Sequence, residues 1–252
     1  MSPGGGDVTA VAIETATETV GLAVRTGEGV EAEFALTGRR RHVETLTPAL
    51  EHLLGQVGLA PGDLRVVAVD IGPGLFTGLR VGVAAAKGLA QALGLGLVCA
   101  TSLDVLTAAA AEAGLRGVVL ACVDARRGEV FAAVHEVDQD GGPAVERLTA
   151  ALWAPGDLAA AVGGLAGTAT AVHAVGDGAQ RYREVLAQVP GVHVVTPVLA
   201  FPPPSTLLRL ALARLGAGQA PVDAASVVPL YMREADAKSN FVRARGGPEL
   251  EP

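Results

Sequence analysis

Residues 66–93 read VVAVDIGPGLFTGLRVGVAAAKGLAQAL: a short apolar run, two glycines around a proline at 72–74, and a long helix pattern rich in small residues. That order predicts a buried strand, a tight turn and a helix N-terminus, a geometry that commonly holds an anion on backbone N–H groups. The turn is not a Walker loop, because no Gly-Lys-Ser/Thr follows at the required spacing. Nor is it the dinucleotide fingerprint, since Thr77 stands where the third glycine should fall. Two readings stand side by side. Gly72, Gly74, Thr77 and Arg80 form a phosphate or carboxylate site, or the glycines serve only a tight turn and Thr77 caps the helix. Gly78, Gly82, Ala86 and Ala90 recur every four residues as a stripe almost without side chains. Glycine costs roughly 1 kcal/mol against alanine inside a helix, so two there point to a close backbone approach. The approaching group is another helix, from this chain or a partner subunit, or the chain's own sheet.

Upstream, 8–13, 20–25 and 31–36 are β-rich runs, the first two joined by a polar hairpin tip at 14–19. At 39–57 the period changes, and Val43, Leu46, Leu50, Leu53, Leu54 and Val57 line one helical face, with Pro48 in the early turns. Residues 97–100 give a further strand and 103–113 an Ala-rich helix capped by Thr101 or Ser102. The same grammar restarts at 118–124 and 129–137, two strands around a polar tip. An irregular stretch with a helix near 155–165 follows, then strand 171–175, helix 179–188, strand 192–196 and, after three prolines, a helix from Ser205 to Leu215. The repetition predicts a duplicated α/β lobe, with lobes at 1–115 and 116–225 and a partly loose segment at 226–252.

The 252 residues suffice for one large domain or two ordinary ones, and 50% hydrophobic with 18% charged residues excludes a disordered chain. Lys87 and Gln91 interrupt the best apolar window before the roughly 18 residues a membrane span needs. The opening SPGGGD lacks the basic start and apolar core of a signal peptide, so a cytoplasmic location is expected. Cys99 and Cys122 lie in separate Val/Leu-rich runs and are expected as buried thiols in a reducing compartment. A net charge of -7 argues against an independent nucleic-acid binder. Five scattered histidines, no H-E-x-x-H and no G-x-S-x-G leave nucleophilic and metal catalysis little support. Asp70, at the end of the buried strand, is the carboxylate placed best for chemistry; Asp124 and Glu129 flank the second hairpin, where turn residues are the simpler reading. His42 beside the arginines at 39–41 reads as an anion site or, more simply, a solvated helix entry.

The segments AIETATETVGLAV, RHVETLTPALEHLL, DIGPGLFTGLRVGVAAAKGLAQAL, VDARRGEVFAAV and PLYMREADAK, in this order, resemble the TsaB (YeaZ) family of tRNA threonylcarbamoyladenosine biosynthesis proteins. The resemblance implies two related lobes of the actin-like, sugar-kinase and Hsp70 ATPase fold, with the second lobe shortened. It implies a non-catalytic subunit, without cofactor or metal, that binds and activates a TsaD-type catalytic subunit. That subunit transfers threonylcarbamoyl to N6 of the adenosine 3′ of the anticodon, position 37, in tRNAs reading codons that begin with A. A TsaE-type ATPase joins the pair, and tRNA is met mainly through the complex. The catalytic paralogue carries an H-x-x-x-H metal motif where Ser102 and Leu106 stand here, and a hydroxyl and an isobutyl group cannot replace two nitrogen ligands. Glu14 falls near the superfamily's metal-organising aspartate, and Gly72, Gly74, Thr77 and Arg80 become a vestigial anion or nucleotide site. Two N-lobe helices form the partner interface, which maps onto Val43, Leu46, Leu50, Leu53 and the stripe Gly78, Gly82, Ala86 and Ala90; a bulky residue at Gly82 or Ala86 is expected to abolish the heterodimer and leave the lobe folded. Alone, the same surface closes a homodimer. Arg39, Arg40, Arg41, Arg233, Lys238, Arg243 and Arg245 are candidates for auxiliary tRNA contact. The rival reading is an enzyme, either a small kinase or ATPase of the same fold or a metallopeptidase-like protein.

Overall fold

The computed structural model describes residues 8–38, 42–138, 144–166 and 171–233. Two five-stranded mixed sheets form its frame. In the first, β1 (Ala10–Glu14), β2 (Thr19–Arg25) and β3 (Glu31–Thr37) run antiparallel, while β4 (Val66–Asp70) and β5 (Leu97–Ala100) continue parallel from β1. The second repeats this with β6 (Gly117–Arg126), β7 (Glu129–Val137), β8 (Val145–Trp153), β9 (Val172–Val175) and β10 (Val192–Val194). Both sheets therefore have the order third-second-first-fourth-fifth, the duplicated α/β lobe that the repeated sequence pattern predicts.

Strict alternation along the strands sorts the core into layers. Val11, Ile13, Val67 and Val69 face helices α1 (His42–Gln56) and α2 (Phe76–Leu93). Ala10, Ala12, Ala23 and Ala68 face the other way, and their small side chains admit α7 (Pro204–Gly216) through Leu207, Leu208 and Ala211. In the second sheet one face packs on α3 (Ser102–Glu112), the other on α4 (Pro155–Ala166), α5 (Asp177–Arg181) and α6 (Arg183–Leu186). The chain crosses to the second sheet on α3, and returns to the first on α7, which lies beside α3. A short segment then runs back along α2: Leu97 and Val222 pair, Lys87 Nζ donates to the carbonyls of Ala225 and Val227, and the Leu230 N–H donates to the Ile71 carbonyl.

Three local expectations need correction. The irregular stretch after 137 holds β8, an outer strand whose arginine, alanine and leucine content carries no strand signal. The helix expected at 179–188 is two short helices parted at Tyr182. Thr77 does not cap α2: Leu75 is the N-cap, without a side-chain bond, and Thr77 sits inside the first turn. Thr101 caps α3 by accepting from the Asp104 N–H. Cys122 is buried in β6 and Cys99 half-buried in β5, on different sheets and both free. The basic cluster at 39–41 and the tail from 246, with Lys238, Arg243 and Arg245, lie outside the described residues.

Candidate functional site

Parallel strands β1 and β4 run in register through Ile13 and Val69, so the next residues, Glu14 and Asp70, stand side by side at the strand ends. Ligands of open α/β sheets enter at such carboxyl ends. Both carboxyls are buried, at 0% and 1% exposure. Asp70 Oδ1 accepts from the Gly72 N–H at 2.6 Å and from the Ser102 hydroxyl at 2.9 Å, and Glu14 Oε1 accepts from the Ala16 N–H at 2.8 Å. The remaining oxygens, Glu14 Oε2 and Asp70 Oδ2, receive no donor from another group. Burial first, and then the charge of Asp70 with which it shares a hydrogen bond, hold the Glu14 carboxyl well above the ordinary range. Two carboxyls side by side in a dry site resist ionising together, so the pair as a whole holds on to a proton. The buried Ser102 hydroxyl is shared between Asp70 Oδ1 and the Pro73 carbonyl, each at 2.9 Å. Among the described residues no group of three or more His, Cys, Asp or Glu side chains could hold a metal ion.

The glycine turn closes over this pair from one side. The Leu75 N–H donates to the Ala16 carbonyl at 2.6 Å, and a Cβ on Gly74 would overlap that same carbonyl group. Gly72 holds φ at +105°, a conformation that glycine adopts at little cost. The amides of Gly72 and Leu75 are thus engaged by the chain's own Asp70 and Ala16. Arg80 is engaged too: its guanidinium carbon stacks 3.7 Å above the Phe76 ring and its Nε donates to Tyr231 Oη at 3.0 Å. The turn fits its own β1–β2 hairpin and offers a ligand neither of those amides.

The stripe on α2 has the same explanation. Gly78, Gly82, Ala86 and Ala90 are all buried inside the lobe. Thr15 Oγ1 donates to the Gly78 carbonyl at 2.8 Å, and a Cβ on Gly82 would overlap the Thr15 hydroxyl. The close approach read from the glycines is real, but the approaching group is β1 of the same lobe. Leu46 and Leu53 of α1 are buried in that core as well. Placing the partner on these six residues is corrected accordingly, because a second subunit would have to displace the sheet. Of the expected face only Val43, at 71% exposure, and the partly buried Leu50 reach outward. Beside them α2 exposes the small residues Ala84 and Gly88, with the partly buried Val81 one turn before, and open space lies above Gly88.

The second lobe carries a counterpart of the acid pair that the sequence did not disclose. Asp124 lies near the end of β6 and Asp177 two residues after β9, much as Glu14 and Asp70 end β1 and β4, and Asp177 Oδ1 accepts the Asp124 N–H at 2.9 Å. Burial raises the Asp177 carboxyl to about 6. Asp124 is matched by Arg126 at 3.0 Å and Arg181 at 3.6 Å. The duplicated grammar was the signal that could have found Asp177, since it follows its strand as Asp70 ends its own. Arg233, expected to be free for tRNA, donates instead to the Ala125 carbonyl and pairs with Glu129.

A model of the family TsaD, tRNA N6-adenosine threonylcarbamoyltransferase, matches residues 16–241. TsaB, the tRNA threonylcarbamoyladenosine biosynthesis protein of Bacillus subtilis, is 34% identical over 129 residues, 51% of this chain and 56% of that protein. TsaB of Escherichia coli is 34% identical over 131 residues, 52% of this chain and 56% of that protein. The solved structure of YeaZ from Pseudomonas aeruginosa superposes with a TM-score of 0.73 at 25% identity, covering 89% of this chain and 99% of that one. The chain belongs to the TsaD family, and within it to the TsaB/YeaZ group. Its match thus spans about half the length of those two relatives.

Set in the TsaB/YeaZ group, the geometry has a consistent meaning. The crevice at the carboxyl ends of β1 and β4 is filled by the buried Glu14, Asp70 and Ser102 under the glycine turn, while the exposed Ala84 and Gly88 lie on the helical side of the sheet. No helix among the described residues is long and apolar enough to cross a membrane.

Proposed function

We propose that this chain is a non-catalytic subunit required for N6-threonylcarbamoyladenosine formation at position 37 of tRNAs that read codons beginning with A. It binds and activates a TsaD-type catalytic subunit, and the assembly recruits a TsaE-type ATPase and meets tRNA. The observation that carries this reading is the first-lobe crevice, whose two carboxyls are buried side by side under the glycine turn; by the resemblance, Ser102 stands where the catalytic paralogue has a metal ligand. Such a lobe has lost the means for metal-assisted transfer but keeps the frame of an enzyme subunit, which suits a protein that acts by docking. We place the docking face on the outward side of α1 and α2, at Val43, Thr47, Leu50, Val81, Ala84 and Gly88. Small residues there let a partner's helices approach closely, as two-helix interfaces require. Taking 1–115 and 116–225 as the lobes, α7 belongs by packing with the first.

The mechanism follows from docking rather than chemistry. Burial of an apolar helix face stabilises whichever conformation of the partner presents the matching surface, so binding shifts the partner toward its active state. The test is reconstitution with the catalytic paralogue, threonylcarbamoyl-adenylate and tRNA. The modified nucleoside forms only when both chains are present; formation at an unchanged rate without this chain, or ATP hydrolysis by this chain alone that Asp70→Ala or Glu14→Ala removes, supports the rival enzyme reading.

A further inference from the structure

The hairpin between β6 and β7 is built against ordinary backbone preference. Arg126 and Arg127 are non-glycine residues at positive φ, 63° and 55°, and Gly128 follows at 82°. The ladder slips between Asp124 and Arg126, a bulge that re-aims the side chain beyond it. Backbone held in a sparsely populated region persists where the surroundings over-determine it, and it often marks function. Here the re-aimed group is the Arg126 guanidinium. Nη1 meets Asp124 Oδ2 at 3.0 Å within its own lobe, and Nη2 meets Glu18 Oε1 at 2.5 Å on the tip of the β1–β2 hairpin of the other lobe. A single cation therefore sits between two carboxylates, one from each lobe.

A second arginine makes the same crossing. The segment after α7 is fixed to the first lobe by the Leu230 N–H on the Ile71 carbonyl and by the Tyr231 ring 5.2 Å from Phe76. Two residues later Arg233 donates to the Ala125 carbonyl at 3.0 Å and pairs with Glu129, both on the second hairpin. The adjacent helices α3 and α7 also lie between the lobes: α7 packs on the first sheet, and α3 packs on the second while its Val105 joins the core of the first.

We propose that Arg126 and Arg233 form a two-point ionic latch that holds the lobes together at their hairpin tips, and that its release lets them part about the α3–α7 pair. Each contact is partly exposed, so each alone is weak and screened by salt. Acting on one opening motion they add, which makes the closed state strong enough to hold yet sensitive to ionic strength. The charged groups facing Arg126 are Glu18, Asp124 and Asp177, with Arg181 on the far side of Asp124. The latch is independent of which partner the α1–α2 face receives.

Electron–electron double resonance reads the interlobe distance directly, with nitroxides at Glu28→Cys and Glu184→Cys in a Cys99→Ala background. The parent chain gives one narrow distribution at low salt. Arg126→Gln and Glu18→Gln each broaden it toward longer distances, the two together no more than either alone, and Arg126→Gln with Arg233→Gln broadens it further. Salt at 1 M reproduces the broadening in the parent (Debye length about 3 Å) and adds little to the double arginine variant. A distribution unchanged in the Arg126→Gln, Arg233→Gln chain overturns the latch. So does broadening by Arg126→Gln that Glu18→Gln does not share, because Arg126 would then act only on Asp124. Glu18 is exposed, so Glu18→Gln keeps the fold and the comparison stands even if Arg126→Gln disturbs its hairpin.

Discussion

A methyl group at Gly82 would enter the space of the Thr15 hydroxyl, whereas one at Gly88 meets nothing within 4 Å. The two glycines of one helix therefore answer oppositely to the same substitution. Gly82→Ala lowers the thermal midpoint, since overpacking costs about 1–3 kcal/mol, and Thr15→Ala in the same chain recovers part of the loss. Gly88→Ala raises it, by up to about 1 kcal/mol, through helix propensity alone. Equal effects in a melting experiment would contradict the packing described. Asp177 supplies a second residue-scale prediction. Its carboxyl ionises near 3.8 in the unfolded chain and at about 6 in the folded one, burial being the main cause. The folded state therefore holds a proton the unfolded state has released. The stabilisation is complete below pH 3.8, declines as pH rises through that window and is gone above about 6. Chemical denaturation of the parent and of Asp177→Asn across pH 4–7 separates this group from the rest: the difference between the two chains changes across the window and is level above it.

Among the elements, α2 shows how far periodicity reaches. The period of 66–93 identifies the strand, the turn and the helix, and the glycines report correctly that some backbone or side chain comes very close. Which face is inward is not legible, because this helix has small residues on both: Gly78, Gly82, Ala86 and Ala90 on one side, Val81, Ala84 and Gly88 on the other. Only the fit of Gly82 to Thr15 separates them. The acid pair divides similarly. Asp70 and Glu14 are each visible as odd carboxyls at strand ends, but their meeting depends on the parallel register of β1 with β4, a pairing separated by more than fifty residues. Strand β8 escaped because an outer strand need not alternate strongly or favour β-branched residues. A prediction belongs to this scale. Gly88→Leu and Ala84→Glu leave the thermal midpoint within about 1 kcal/mol of the parent, as exposed positions do, and abolish co-purification with the catalytic paralogue. Gly82→Ala weakens the fold first and the complex only in consequence. Retention of the complex by Ala84→Glu would move the docking face elsewhere.

Two lobes with one strand order place equivalent carboxyls at equivalent strand ends, Glu14 with Asp70 and Asp124 with Asp177, and the molecule has put each pair to structural use. The first is buried as a pair that holds on to a proton under the glycine turn; the second is matched by arginines at Asp124, one of which reaches the other lobe. Among the described residues the helical side of the first sheet stays open to another molecule at Val43, Ala84 and Gly88. The buried crevice and the exposed helical face are therefore two separate surfaces of the first lobe. The most direct measurement is the yield of modified nucleoside in the reconstituted reaction with two variants of this chain. Glu14→Gln, with its amide N–H turned toward the Asp70 carboxylate, keeps the shape and hydrogen bonds of the sealed pair, and full modification is expected. Gly88→Leu keeps the lobe folded and blocks the outward face, and modification is expected to fall to the level without this chain. The reverse outcome, loss with the carboxyl variant and normal yield with Gly88→Leu, would contradict the account.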